Sequence, residues 1–99
     1  MNAINWFELF VSNFERARGF YERVLATPLE AMDGMGGRVA LFPYAQESGI
    51  GGCLSESAEQ QSGIGGTRIY LNVEGQLDAV VNRVPTAGGV IIHSKMSIA

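Results

Sequence analysis

The stretch Ile4–Leu25 constrains the fold most, because the spacing of its apolar residues changes from two to a helical repeat of about 3.6. The first part, up to Val11, alternates as a strand does, and one face is entirely apolar: Phe7, Leu9 and Val11. The second part carries a helical stripe that starts at Phe14 and is expected to end near Leu25. An S-x-x-E motif at Ser12 and Glu15 predicts a capping box at the junction.

A helix that follows a strand directly must pack on one face of that strand, and the apolar face is the obvious choice. The other face carries two aromatic rings and a carboxylate: Trp6, Glu8 and Phe10. We therefore expect this second face to line a concave binding surface that tolerates an acidic side chain.

The middle of the chain predicts three short strands. Leu29–Met32 and Arg38–Pro43 flank a glycine-rich turn and are expected to form a hairpin, and Gly49–Leu54 is expected to be a further strand. The stretch Ser55–Gly66 is polar, without apolar periodicity, and is predicted to be a linker inside the single domain.

The second half repeats the opening pattern. Thr67–Val73 alternates and is predicted to be a strand, with Ile69, Leu71 and Val73 on one face and Arg68, Tyr70 and Asn72 on the other. A helical stripe over Leu77–Val84 follows, which Pro85 should stop, and Gly89–Ile92 is predicted to be a last strand. The organisation is therefore strand, helix, strand, given twice within residues 1–99.

Bulk properties exclude some classes of function. The length of 99 residues predicts one domain. A net charge of −3 with scattered basic residues argues against a nucleic-acid partner. No apolar run is long enough to span a membrane, and no secretory signal is recognisable. The lone Cys53 cannot form a disulfide within the chain, so a cytoplasmic location is expected.

The segments N-W-F-E-L-F-V-S-N-F-E-R-A-R-G-F-Y-E-R-V-L and G-T-R-I-Y-L-N-V-E-G-Q-L-D-A-V-V-N-R-V-P-T-A-G-G-V-I-I resemble the openings of the two modules of the vicinal oxygen chelate superfamily. That superfamily includes glyoxalase I, bleomycin-resistance proteins and extradiol dioxygenases. The resemblance implies an α+β fold in which a βαβββ module (4–54) is joined by the linker 55–66 to a shortened βαβ module (67–99). It also implies a curved mixed sheet with helices on its outer face and a ligand in the inner cup.

Under this resemblance the inner face would be lined by Trp6, Glu8, Phe10, Arg68, Tyr70 and Asn72. An acid and a base on facing surfaces suggest a Glu8–Arg68 pair, which would be either a structural ion pair or a polar anchor for a ligand. The superfamily's enzymes bind a divalent metal through first-strand positions that Trp6 and Arg68 occupy here, and neither side chain can ligate a metal. We therefore expect no catalytic residues, no metal and no other cofactor.

Other candidates for chemistry have ordinary structural interpretations. His93 is expected to be an exposed residue at a strand end, and Cys53 a small buried hydrophobe rather than a reactive thiol. The glycine-rich turn at 33–37 lacks the following helix of a phosphate loop, since a strand is predicted there instead.

The sequence predicts a non-catalytic protein that binds a small organic molecule in an aromatic and polar cup. A metal-dependent lyase, isomerase or dioxygenase is the first alternative, and a remnant domain that acts only through self-association is the second. Because the second module is shorter than the first, a sheet edge is expected to be exposed. We therefore expect a homodimer, with exchange of elements between the copies left open.

Overall fold

The computed structural model describes residues 4–32, 38–43, 49–57, 62–63 and 68–95. Over these residues the chain has an α+β fold with a four-stranded mixed sheet and two helices. The elements are, in chain order, β1 (Trp6–Phe10), α1 (Phe14–Leu25), β2 (Glu30–Met32), β3 (Arg38–Leu41), β4 (Gly51–Glu56) and α2 (Leu77–Thr86).

The strands lie in the order β1-β4-β3-β2, so β1 and β2 are the two edges of the sheet. β1 runs parallel to β4, with Glu8 opposite Cys53, while β4, β3 and β2 are antiparallel neighbours. The hairpin predicted from the glycine-rich stretch is confirmed as the β2–β3 pair. Its turn, at 33–37, lies outside the described residues.

The apolar face predicted for β1 packs on the core. Five buried residues form this core, Phe14, Leu29, Ala40, Phe42 and Leu54, and Phe7, Leu9 and Val11 pack against it. Residues on the inner side of α1 join them: Ala17, Tyr21 and Leu25. The strand-to-helix change read from the sequence therefore places α1 on the sheet as expected.

The start of α1 differs from the prediction. Asn13, in an extended conformation, is the N-cap, and its Oδ1 accepts a hydrogen bond from the backbone N–H of Arg16 at 3.1 Å. The helix begins at Phe14, so Ser12 lies one residue too early to cap it. Glu15 does not reach back to the cap but forms an ion pair with Arg38 at 3.8 Å. The end of α1 at Leu25 agrees with the prediction, and Ala26 follows in the left-handed region with φ 55°.

The two strands predicted in the second half are not formed. Residues 68–73 and 89–92 belong to no strand, because they make no ladder with the described part of the sheet. Alternation of apolar residues indicates an extended, two-faced segment, but a strand also needs a hydrogen-bonding neighbour. Val90 and Ile92 are instead exposed to solvent over 81% and 83% of their surface. The predicted βαβ pairing of the second module is therefore wrong for the described residues.

α2 packs against α1. The described residues form no second sheet for α2 to cover. Arg83 on α2 donates from Nε to the backbone carbonyl of Val24 at 2.9 Å, which satisfies a carbonyl near the end of α1. The helix continues through Pro85 to Thr86, although Pro85 was expected to stop it. Pro85 lies in the last turn of the helix, and the Gly88 N–H bonds to its carbonyl just beyond the helix end.

Candidate functional site

An open groove of about 1390 Å³ runs along the outer edge of β1. Side chains from both faces of β1 line it, which places the groove beside the strand rather than on one face of the sheet. The opposite wall is the segment 68–74, with Gln76 and Val80 at the start of the second helical region. The wall that was predicted to be a strand is thus close to β1 but is separated from it by the groove.

The six side chains predicted to form the ligand site all line this groove: Trp6, Glu8, Phe10, Arg68, Tyr70 and Asn72. Trp6 is 43% exposed, and Tyr70 is 83% exposed. The alternation that was read from the sequence places the first three on one face of β1, where they reach the groove from one side. The groove is wider than the predicted cup, because Phe7 and Leu9, from the core face of β1, also line it.

The two charged groups that face each other across the groove are not joined. The ion pairs among the described residues are Arg18–Glu22, Arg38–Glu15 and Lys95–Asp78. The predicted Glu8–Arg68 pair is not one of them, so neither group forms an ion pair within the described part of the chain. This leaves a carboxylate on one wall and a guanidinium on the other.

The side chain of Asn72 makes a hydrogen bond within the chain. Its Oδ1 accepts the backbone N–H of Glu74 at 3.0 Å, and the N–H of Gln76 bonds to the Val73 carbonyl at 2.8 Å. These two bonds turn the chain from the groove wall into α2. The Asn72 side-chain oxygen therefore already accepts one hydrogen bond from the chain itself.

Backbone groups of β1 also face the groove. The N–H of Val11 bonds to the Ser55 carbonyl of β4 at 2.9 Å. Because alternate residues of a strand direct their backbone groups to opposite sides, Glu8 and Phe10 direct theirs toward the groove. No described residue continues the sheet on that side. On this side, therefore, no described strand pairs with β1.

Cys53 lies next to Glu8, a neighbour that the sequence analysis does not predict. It is buried, as predicted, and lies opposite Glu8 in the β1–β4 register, with Trp6 beside it. Burial raises the pKa of the Cys53 thiol, the Glu8 carboxylate raises it further, and a hydrogen bond with the Trp6 side chain opposes both. The thiol is therefore held neutral. Aligning 49–54 in parallel with the first strand would have found this contact.

Among the described residues, no group of three or more His, Cys, Asp or Glu side chains is close enough together to hold a metal ion. His93, which was expected to be exposed, is exposed. Of the described helices, neither has the length and apolar character needed to cross a membrane.

No family model matches the chain, and no curated protein matches it in sequence. Among solved structures it is similar to an integron cassette protein from the mobile metagenome of V. cholerae, with a TM-score of 0.51 and 18% sequence identity. The match covers 95% of this chain and 73% of that chain. At this identity the likeness concerns the fold alone. It supports the α+β arrangement and says nothing about a ligand.

Proposed function

We propose that this chain is a small glyoxalase-like protein of the vicinal oxygen chelate type that binds a small organic molecule without catalysing a reaction. The observation that carries the proposal is the convergence of Trp6, Glu8, Phe10, Arg68, Tyr70 and Asn72 on one groove. Rings, opposite charges and an amide in one concavity are the usual ingredients of a site for an organic ligand.

The element order supports the family side of the proposal. Residues 6–56 form strand, helix and three strands, with the first and last strands parallel and adjacent. This is the βαβββ order that the sequence resemblance implies for the first module. The outer edge of β1 then faces the segment 68–73, which is where a second module would join.

The protein offers a direct probe of the groove, because Trp6 is its single tryptophan. A thermal-shift screen of aromatic compounds, organic ions and divalent metals should find stabilising compounds, and these should change the intrinsic tryptophan emission on titration. A stabilising metal, present in stoichiometric amount by elemental analysis, would favour the metal-dependent enzyme instead.

Two variants test whether ligand binding depends on the groove or on another part of the surface. Trp6→Ala should abolish ligand binding, measured by calorimetry. Met32→Ala is the matched control, since Met32 is 45% exposed, close to the 43% of Trp6, but lies on the opposite edge strand. Unchanged affinity in Trp6→Ala, with thermal unfolding like that of the control, would refute the proposed site.

Self-association is a second candidate function, and a separate observation favours it. Val90 and Ile92 expose 81% and 83% of their surface on a segment that makes no ladder with the described sheet. A second copy of the chain could cover these side chains. Sedimentation at micromolar concentration should show a dimer that Ile92→Lys weakens; a monomer at all concentrations would rule this candidate out.

A further inference from the structure

The charges of the groove come in opposite signs on opposite walls. Glu8 belongs to β1, Arg68 belongs to the facing segment, and no described residue forms an ion pair with either. Glu74 also lines the groove, inside the turn that the bond from the Gln76 N–H to the Val73 carbonyl closes. A ligand that fills the space between the walls therefore meets a carboxylate at one side and a guanidinium at the other.

The aromatic side chains of the groove lie next to its acidic residue, Glu8, which suits a ligand with a cationic group. Trp6 and Phe10 flank Glu8 on one face of β1, because alternate residues of a strand share a face. An ammonium group is attracted both to a carboxylate and to the faces of aromatic rings. Arg68 offers the planar fork of donors that matches a carboxylate in two parallel hydrogen bonds.

A ligand with a single charge suits this groove less well. A simple cation would be attracted by Glu8 but repelled by Arg68, and a simple anion would meet the reverse. Repulsion of this kind acts over about 8–10 Å at ordinary ionic strength, which is the scale of a small ligand. A molecule that carries both charges gains from each wall.

On the basis of the proposed binding function, we infer that the ligand is a zwitterion with an apolar body. Its ammonium lies between the Glu8 carboxylate and the rings of Trp6 and Phe10, and its carboxylate lies on the Arg68 guanidinium. The body fills the apolar part of the groove between them.

The test uses four probes that share one aromatic body with the two charged groups at its opposite ends: 4-(aminomethyl)phenylacetic acid, its ethyl ester, its N-acetyl derivative and the amide of that N-acetyl derivative. At neutral pH these are a zwitterion, a cation, an anion and a neutral molecule. Calorimetry should show the zwitterion binding about tenfold tighter than either singly charged probe, since each charge-assisted contact contributes about that factor. The neutral probe should bind most weakly.

Charge-removing variants assign each contact. Glu8→Gln should weaken the zwitterion and the cation about tenfold and leave the anion unchanged, whereas Arg68→Gln should weaken the zwitterion and the anion and leave the cation unchanged. Asp78→Asn and Arg38→Gln are the matched controls, because both residues are exposed and lie outside the groove. Neither control should change any of the four affinities.

The outcomes distinguish this inference from the proposed function. Equal binding of all four probes, tightest binding of a singly charged probe, or binding of none while the screen finds other ligands would overturn the zwitterion and leave the binding function standing. Loss of all binding in the screen as well would overturn both.

Discussion

The carboxylate of Glu56 accepts a hydrogen bond from the backbone N–H of Phe14, with 2.6 Å between Oε1 and N. Glu56 is the last residue of β4 and Phe14 the first residue of α1, 42 positions apart. A carboxylate at this place also faces the positive end of the helix dipole. The end of the central strand thus caps the helix that covers the sheet.

Removing this cap should destabilise the fold. Glu56→Ala is expected to lower the free energy of unfolding by about 1–2 kcal/mol, because it leaves a helix N–H without its acceptor. Urea unfolding followed by circular dichroism measures the loss. Glu15→Ala is the control, since its carboxylate is exposed and pairs only weakly with Arg38, so about 0.5 kcal/mol or less is expected. Equal losses in the two variants would contradict the capping role.

Two glycines should respond oppositely to the same substitution. A Cβ at Gly52, in β4, would meet the ring of Phe7, so Gly52→Ala should cost about 1–3 kcal/mol through overpacking. A Cβ at Gly19, inside α1, would meet nothing, so Gly19→Ala should stabilise by up to about 1 kcal/mol. Denaturant midpoints of the two variants test this, and a stabilising Gly52→Ala would show that β4 does not lie against Phe7.

A clamp on Leu29 connects α1 to β2. Glu22 Oε2 accepts the Leu29 N–H at 2.8 Å, and Arg18 Nη2 donates to the Leu29 carbonyl at 2.9 Å. Glu22→Ala should therefore cost about 1–3 kcal/mol, well above the few tenths of a surface i,i+4 pair. Chemical denaturation measures it, with Arg23→Ala, also in α1 and exposed, as the control. A loss no larger than that of the control would mean that the clamp contributes nothing.

Stability should fall at alkaline pH in a way that depends on Cys53. Its folded pKa lies above the ordinary value of 9.0, so the unfolded thiol loses its proton first and the native state binds more protons there. The contribution is complete below pH 9.0 and is lost as the pH rises through the folded pKa. Cys53→Ala should flatten this part of the pH profile of the free energy of unfolding.

Tyr21 provides the comparison for that profile. Burial raises its pKa above the ordinary value of 10.0, so its contribution starts to fall only above pH 10.0, whereas that of Cys53 starts to fall above pH 9.0. Tyr21→Phe should flatten only the upper part of the profile. If Cys53→Ala left the profile from pH 9.0 upward unchanged, the thiol would not be held neutral in the folded protein.

The order of elements up to β4, the hairpin and the two helices were predictable from apolar spacing together with the positions of glycine and proline. Spacing identifies which side chains share a face, and this is why Phe7 and Leu9 were correctly assigned to the core side of β1. The same alternation placed Trp6, Glu8 and Phe10 together, and they do line one groove.

Contacts between distant parts of the chain were not predictable in the same way. Arg18 and Glu22 have the i,i+4 spacing of a surface ion pair, but their hydrogen bonds to the Leu29 backbone depend on how the chain leaves α1. The proximity of Cys53 to Glu8 depends on the register between β1 and β4, which no local pattern specifies.

The sequence by itself determined the two helices, the strands up to β4 and which of their faces are apolar, because these properties depend on neighbours along the chain. Only the tertiary structure decided that 68–73 faces β1 across a groove instead of pairing with it, and that Glu56 rather than Ser12 satisfies the start of α1. Hydrogen-bond partners far apart in sequence are selected by packing and register, which periodicity does not encode.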